Sequence, residues 1–195
     1  GSGLSTKPGW FDELNWNYNF DDYVLQDLPT AINFVASLTE TGKVHWVGHS
    51  MGSMIVYAYL QRLGEEKIQS VTAVGAPPRV FDSNHILTGS YDLLPLADWV
   101  YDELPSGFVT ALAAPFSHPP FLPLAHLFWN YDNVSPQTAR LAAAHAVENL
   151  SATVLVQFVA SARSGFMTSV DGIHNYSHGL GSITVPIFFV AGALD

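Results

Sequence analysis

The sequence has no cysteine, which excludes disulfides, thiolate metal sites and a cysteine nucleophile. Cations are scarce: seven Lys and Arg stand against seventeen Asp and Glu, for a formal net charge of −10. The few cations are scattered, and a surface that tracks phosphates needs them clustered, which argues against nucleic acid as a partner. No apolar run reaches the roughly 18 residues of a membrane span, so no transmembrane segment is expected. There is no His-Glu-x-x-His. His174-Asn175-Tyr176-Ser177-His178 carries its two histidines in loop composition rather than on a clear helix, so no metal and no cofactor are expected. A secretory leader is also missing. That ordinarily points to the cytoplasm, but the chain reads as part of a longer protein and the inference carries little weight.

Against these absences stands a high apolar content. Hydrophobic residues make up 48% of the 195 positions and charged residues only 12%, enough for one sizeable core, or a core with one large insertion. Leu28, Ala31, Ile32, Val35 and Leu38 recur at helical spacing behind Asp27, which reads as an N-cap, with Pro29 in the first turn and Gly42 as the stop. Val44–Val47 reads as a short buried strand. The helix expected over residues 52–63 is apolar nearly all round, the pattern of a helix buried on most faces. Ile68–Val74 is a second buried strand, ended by Gly75-Ala76-Pro77-Pro78. Helix, strand, helix and strand with short connections predict a βαβ unit with parallel strands.

Beyond Pro78 prolines and aromatics dominate without strand alternation, and short helices and loops are expected there rather than a second sheet. Ser135-Pro136 opens a helix to about Leu150. Ser151 opens another, with Val154, Leu155, Phe158, Val159 and Ala162 on one face. Ile183–Val190 is expected as a final buried strand, running into Asp195. The organisation expected is an α/β layer over residues 1–78, a helical insertion over 79–180 and a closing strand of the same layer over 181–195. A sheet of three such strands without outer neighbours would leave an apolar edge prone to aggregation.

One stretch carries chemistry. The apolar strand ends in Gly48-His49-Ser50-Met51-Gly52 and a helix starts directly behind it. A serine on a sharp strand-to-helix turn projects its hydroxyl from the sheet, where a base can take the proton. Gly48 and Gly52 are expected to be glycine because side chains there would crowd the backbone. The Met51 N–H, at the head of the helix, would face an oxyanion. Asp195 follows a strand and a Gly192 turn and is the candidate acid, with Asp82 a weaker one. The base is the difficulty. The chain order of this arrangement is Ser, acid, His, and no histidine follows Asp195. His45 and His49 read as packing or supporting residues, and His118, His126, His145, His174 and His178 as surface or packed ones.

These residues resemble the α/β-hydrolase superfamily. Gly48-His49-Ser50-Met51-Gly52 is similar to its nucleophile elbow, and residues 19–32 are similar to the segment before the elbow in acid-lipase-type members. Residues 183–195 resemble the strand that ends in the acid. Gly1-Ser2-Gly3-Leu4-Ser5 is similar to a Gly-x-Gly-x-Ser loop that follows an earlier strand. The resemblance implies a fragment of the fold, with strands matching the fifth, sixth and seventh of the family sheet and residues 79–180 matching a mobile cap. The early strands, the second oxyanion donor and the part carrying the histidine lie outside it. The implied function of the parent is a serine hydrolase of the lipase or esterase type, acting through an acyl-enzyme on a small-molecule or lipid-like ester. Phe108, Phe116, Phe121, Leu122, Leu127, Phe128 and Trp129 would suit an apolar acyl group or form the cap's own core. An acyltransferase or peptidase would use the same serine. A truncated or non-catalytic domain is the alternative of another class. Epoxide hydrolases and dehalogenases of this fold need an acid where Ser50 stands.

Overall fold

The structure is a computed structural model and describes residues 16–76, 79, 103–117, 130 and 132–192. Contacts divide the chain into two compact units, residues 18–95 with 153–195, and residues 1–17 with 96–152. Gly1-Ser2-Gly3-Leu4-Ser5, Asp82, Asp195, His118, His126 and the aromatic run of residues 121–129 lie outside the described residues.

In the first unit the helix expected from Asp27 starts earlier. Helix α1 is continuous from Phe20 through α-helical Phe20–Asp22, a π-helical turn at Tyr23–Asp27 and α-helical Leu28–Ser37. Its N-cap is Asn19. The Asn19 side chain accepts from the Asp21 N–H at 2.8 Å, and Asp22 accepts from the Asn19 N–H at 2.8 Å, a reciprocal capping box. Asp27 makes no side-chain cap. Pro29 therefore sits inside the helix, where it has no N–H to donate and its ring presses on the carbonyl four residues back. The π turn directly before it widens the helix, with the Leu28 N–H donating to the Tyr23 oxygen, the local adjustment that lets the helix pass the proline. The buried stripe is Phe20, Val24, Leu28, Ile32 and Ala36, at strict four-residue spacing. Val35 and Leu38, expected inside, lie on the exposed side with Phe34.

Strand β1 (Val44–His49), helix α2 (Met51–Leu63) and strand β2 (Ile68–Val74) form the expected βαβ unit. The strands are parallel, with Trp46 opposite Val71 and His49 opposite Val74. In α2 every residue from Ser53 to Leu60 is buried. It lies against β1, β2 and α1 and meets a 3₁₀ turn at Gly179–Ser182. Gly64, at φ 96°, ends it, a backbone angle that glycine adopts without strain.

In the second unit β3 (Glu103–Leu104) is followed by α3 (Ser106–Ala113), a 3₁₀ turn at Ala114–Phe116 and α4 (Pro136–His145). Ser135 caps α4 as expected, accepting from the Thr138 N–H at 3.1 Å. The helix stops at His145, short of Leu150, because Leu150–Ser151 forms β4 and pairs antiparallel with β3. A small second sheet thus exists where only helices and loops were expected. α3 buries none of its residues and presents Phe108, Val109 and Leu112 to solvent.

The chain then returns to the first unit. Helix α5 (Ala152–Ser164) buries Val154, Val159 and Ala162, and the residues after it add Met167 and Tyr176 to the sheet-side core. Residues 153–180, which the sequence pattern groups with the insertion, therefore pack in the sheet unit. A polar network fixes them there. Gln157 Oε1 accepts from the Phe20 N–H at 3.0 Å and its amide donates to the Thr168 oxygen at 2.9 Å. Tyr176 donates to Asp21 at 2.5 Å, Asp21 accepts the Val170 N–H at 2.6 Å, and Arg62 donates to the Tyr176 hydroxyl at 3.0 Å. Burial, with the Asp21 hydrogen bond second, holds the Tyr176 phenol well above its ordinary pKa, so it stays a donor at neutral pH.

The last strand, β5, is Ile187–Val190 and pairs parallel with β2, giving the order β1-β2-β5. It is shorter than the expected 183–190. Pro186 lies just outside it, and its carbonyl accepts the Val71 N–H at 2.9 Å. Contrary to expectation the strand is not buried: Phe188 is 67% and Phe189 57% exposed. The Tyr57 ring of α2 approaches the Phe189 ring at 6.2 Å, yet more than half of each phenylalanine stays exposed. No helix among the described residues is long and apolar enough to cross a membrane.

Candidate active site

The turn between β1 and α2 is set by two backbone facts. Ser50 has φ 51° and ψ −123°, and it alone among the described non-glycine residues has a positive φ. A side chain in that region costs on the order of 1–3 kcal/mol and persists only where neighbouring structure enforces it. Here the enforcement is visible. The Ser50 N–H donates to the Val74 oxygen of β2 at 2.9 Å, carrying the strand ladder one residue into the turn. On the far side, the Ser50 carbonyl accepts from Ser53 at 3.0 Å and Met54 at 3.3 Å and so starts the helix. One residue thus ends a strand and caps a helix.

Gly48 has the close approach expected of it. A Cβ there would lie 2.7 Å from the Ser53 nitrogen and 2.8 Å from the Gly52 carbonyl carbon, contacts that no side chain can make. Gly52 does not. A Cβ at Gly52 would meet nothing within 4 Å, so the crowding expected at this position is corrected. What was read as two steric requirements is one.

Ser50 itself is exposed, and no hydrogen bond of its hydroxyl is found among the described residues. Met51 follows as the first helical residue. The leading N–H groups of a helix have no acceptor within it and carry its positive pole, and the first turn of α2 holds no acidic residue to compete for them. His49 is exposed at the end of β1, and its ring lies 3.7 Å from where a Gly75 Cβ would stand. His45 Nδ1 shares a hydrogen with the Ser70 hydroxyl at 2.8 Å, and His178 packs edge-on against the Phe166 ring at 4.5 Å. No described histidine is hydrogen-bonded to Ser50. Among the described residues no group of three His, Asp or Glu is arranged to hold a metal.

Two residues around the turn were not singled out from sequence. The Trp46 indole N–H donates to the Gly52 carbonyl at 3.1 Å, reaching from β1 across to the first turn of α2. Its signal was an indole two residues before a glycine that must pack tightly, which needs a partner once half-buried. The other is Ser53, fully buried, whose hydroxyl has no hydrogen-bond partner among the described residues. That hydroxyl lies 2.7 Å from the Gly48 Cβ position, so it fills the space that glycine leaves open.

A family model described as alpha/beta hydrolase fold matches residues 1–195. Over 94% of this chain and 44% of its own length, a probable lipase of Schizosaccharomyces pombe is 24% identical. A gastric triacylglycerol lipase of Rattus norvegicus is 45% identical over 40 residues, 20% of this chain and 10% of that one. In both curated relatives the match spans less than half of the relative's length. A solved structure from a study of Nitrososphaera gargenis carboxylesterases is 17% identical, with a TM-score of 0.49, 92% of this chain and 56% of that chain covered. With a matching family model, parallel strands and flanking helices, this chain belongs to the α/β-hydrolase family.

Proposed function

We propose that Ser50 is the nucleophile of a serine ester hydrolase of the lipase or esterase type. The observation that carries this is its positive φ at an exposed strand-to-helix turn, strain that ordinary packing does not require and that aims a hydroxyl outward. In this reading the Ser50 oxygen attacks the ester carbonyl and the Met51 N–H donates to the oxyanion. An acyl-enzyme forms as the alcohol leaves, and water releases the acid. Asp195 orients the histidine that takes the Ser50 proton. The lipase relatives support an ester substrate with an apolar acyl group. An acyltransferase or a peptidase would differ in what accepts the acyl group and not in the Ser50 step.

A second reading rests on the histidines. None among the described residues is bonded to Ser50, and a serine without a base stays protonated. For the 195 residues alone we therefore propose a non-catalytic α/β-hydrolase domain, with the base supplied by sequence beyond Asp195. Labelling with a fluorophosphonate probe separates the readings. The longer reading frame is expected to label, and Ser50→Ala to abolish labelling; absence of Ser50-dependent labelling there sinks the hydrolase reading. The 195-residue chain is expected to show negligible ester hydrolysis. Turnover that disappears in Ser50→Ala would instead require a histidine within the chain.

A further inference from the structure

The helical unit carries a feature independent of Ser50. Between α3 and α4 lies a groove of about 490 Å³ lined by Ala111, Ala114, Pro115, Arg140, Leu141 and Ala144. Of these six described lining residues five are apolar, three of them alanines. Its volume falls within the range of small-molecule sites. The sixth is a guanidinium in a chain with only seven Lys and Arg and a net charge of −10. Arg140 is exposed, and among the described residues it has neither a hydrogen bond nor an ion pair. Acidic partners outnumber cations throughout the sequence, so an arginine left unpaired on an apolar wall is available to an outside anion. A guanidinium presents two parallel N–H groups that match a carboxylate. Its place in α4 fits this use: Arg140 and Leu141 lie four and three residues before Ala144, so each neighbours it on the helix surface, and all three line the groove.

We propose that this groove binds a single-chain amphiphile with an anionic head, its carboxylate on Arg140 and its tail along the alanines, Pro115 and Leu141. The occupant is a monomeric long-chain carboxylate. A neutral or cationic amphiphile leaves the guanidinium unmatched, and a purely polar anion leaves the apolar wall wet.

The test is calorimetric titration of the 195-residue chain with sodium dodecanoate below its micelle concentration. Saturable binding at one site per chain is expected. Arg140→Gln, an exposed helix position, should weaken it about tenfold or more, the value of a lost charge-assisted hydrogen bond. Leu141→Asp should weaken it as well. Dodecyltrimethylammonium should bind at least about tenfold more weakly than dodecanoate, since its head meets a like charge. Ser50→Ala should bind dodecanoate as the unaltered chain does, which keeps this result separate from the fate of the hydrolase reading. The proposal is overturned if Arg140→Gln binds dodecanoate unchanged or if the cationic amphiphile binds equally well. It is also overturned if uptake is non-saturable, or if the chain ignores monomers and binds only vesicles of anionic lipid. Failure to bind accompanied by a dimer in sedimentation overturns it too, and assigns the face to a second copy.

Discussion

The two units treat apolar sequence in opposite ways. Helix α2 buries every residue from Ser53 to Leu60, whereas α3, also rich in apolar residues, buries none. The difference lies in what surrounds each helix. α2 has the sheet against it, α1 beside it and the Gly179–Ser182 turn at its other end. Among the described residues α3 meets mainly α4 and the 3₁₀ turn that follows it, too few elements to enclose a helix. Hydrophobicity sets how much a helix gains from burial, but layers on both sides decide whether burial happens.

The largest effect that tests this contrast compares two phenylalanines. Phe20 is fully buried and packs against the Phe158 and Tyr176 rings at 6.1 and 6.0 Å. Phe20→Ala should cost about 3–5 kcal/mol, the range for truncating a core aromatic. Phe108, 64% exposed on α3, should change stability by less than about 0.5 kcal/mol when replaced by Ala. Urea denaturation measures both. A large loss at Phe108 would mean that α3 is covered in solution and that the contrast between the units is false.

Next in size is a contrast within the turn. Gly48→Ala drives a methyl group into the Ser53 nitrogen and the Gly52 carbonyl carbon. Both are backbone and neither can swing away, so a loss of about 1–3 kcal/mol is expected from overpacking. Gly52→Ala places its methyl in open space on the first turn of α2 and should stabilise by about 0.5–1 kcal/mol through helix propensity and reduced chain entropy. Thermal melts of the two variants should move in opposite directions. Equal losses would restore the symmetric reading of the motif.

That asymmetry also marks how far the sequence could be read. β1, the turn, α2 and β2 were legible because each is specified locally, by an apolar run, glycine and helical periodicity in direct succession. The start of α1 was legible in principle, since Asn19 and Asp22 have capping-box spacing, but Pro29 drew the boundary to Asp27. A proline inside a helix is admissible only with the π turn before it, and single-sequence patterns do not announce one. Val35 and Leu38 failed for another reason. α1 carries two apolar stripes, and only the tertiary partner selects which faces inward. Gln157 is more distant still. It reads as a polar interruption of an apolar helix, and its partners lie at Phe20 and Thr168, one of them 137 residues away. The exposure of β5 was equally hidden, because a run such as Ile187-Phe188-Phe189-Val190 encodes the wish for burial and not its fulfilment. At the candidate site, sequence found the serine and the turn, while the clamps from Val74 and Trp46 needed the fold.

The smallest of the expected effects asks whether Trp46 is such a clamp. Ser50 is held on its β2 side by the Val74 carbonyl, whereas the indole N–H reaches the Gly52 carbonyl from β1 itself. Trp46→Phe keeps an aromatic ring at the position and removes the donor. One hydrogen bond of this kind contributes about 1 kcal/mol, so urea denaturation should show a loss of that order. Global stability alone cannot separate a clamp from lost packing, because Phe is also smaller than Trp. The local signature is amide exchange at Ser53 and Met54, whose N–H groups close the turn onto the Ser50 carbonyl. If the indole braces the turn, these two amides should speed up by more than the core amides of β2, since the bond ties β1 to the first turn of α2. If all amides speed up in proportion, Trp46 packs against the turn without holding it. Ser50 would then owe its backbone angle to Val74 and the close contact at Gly48.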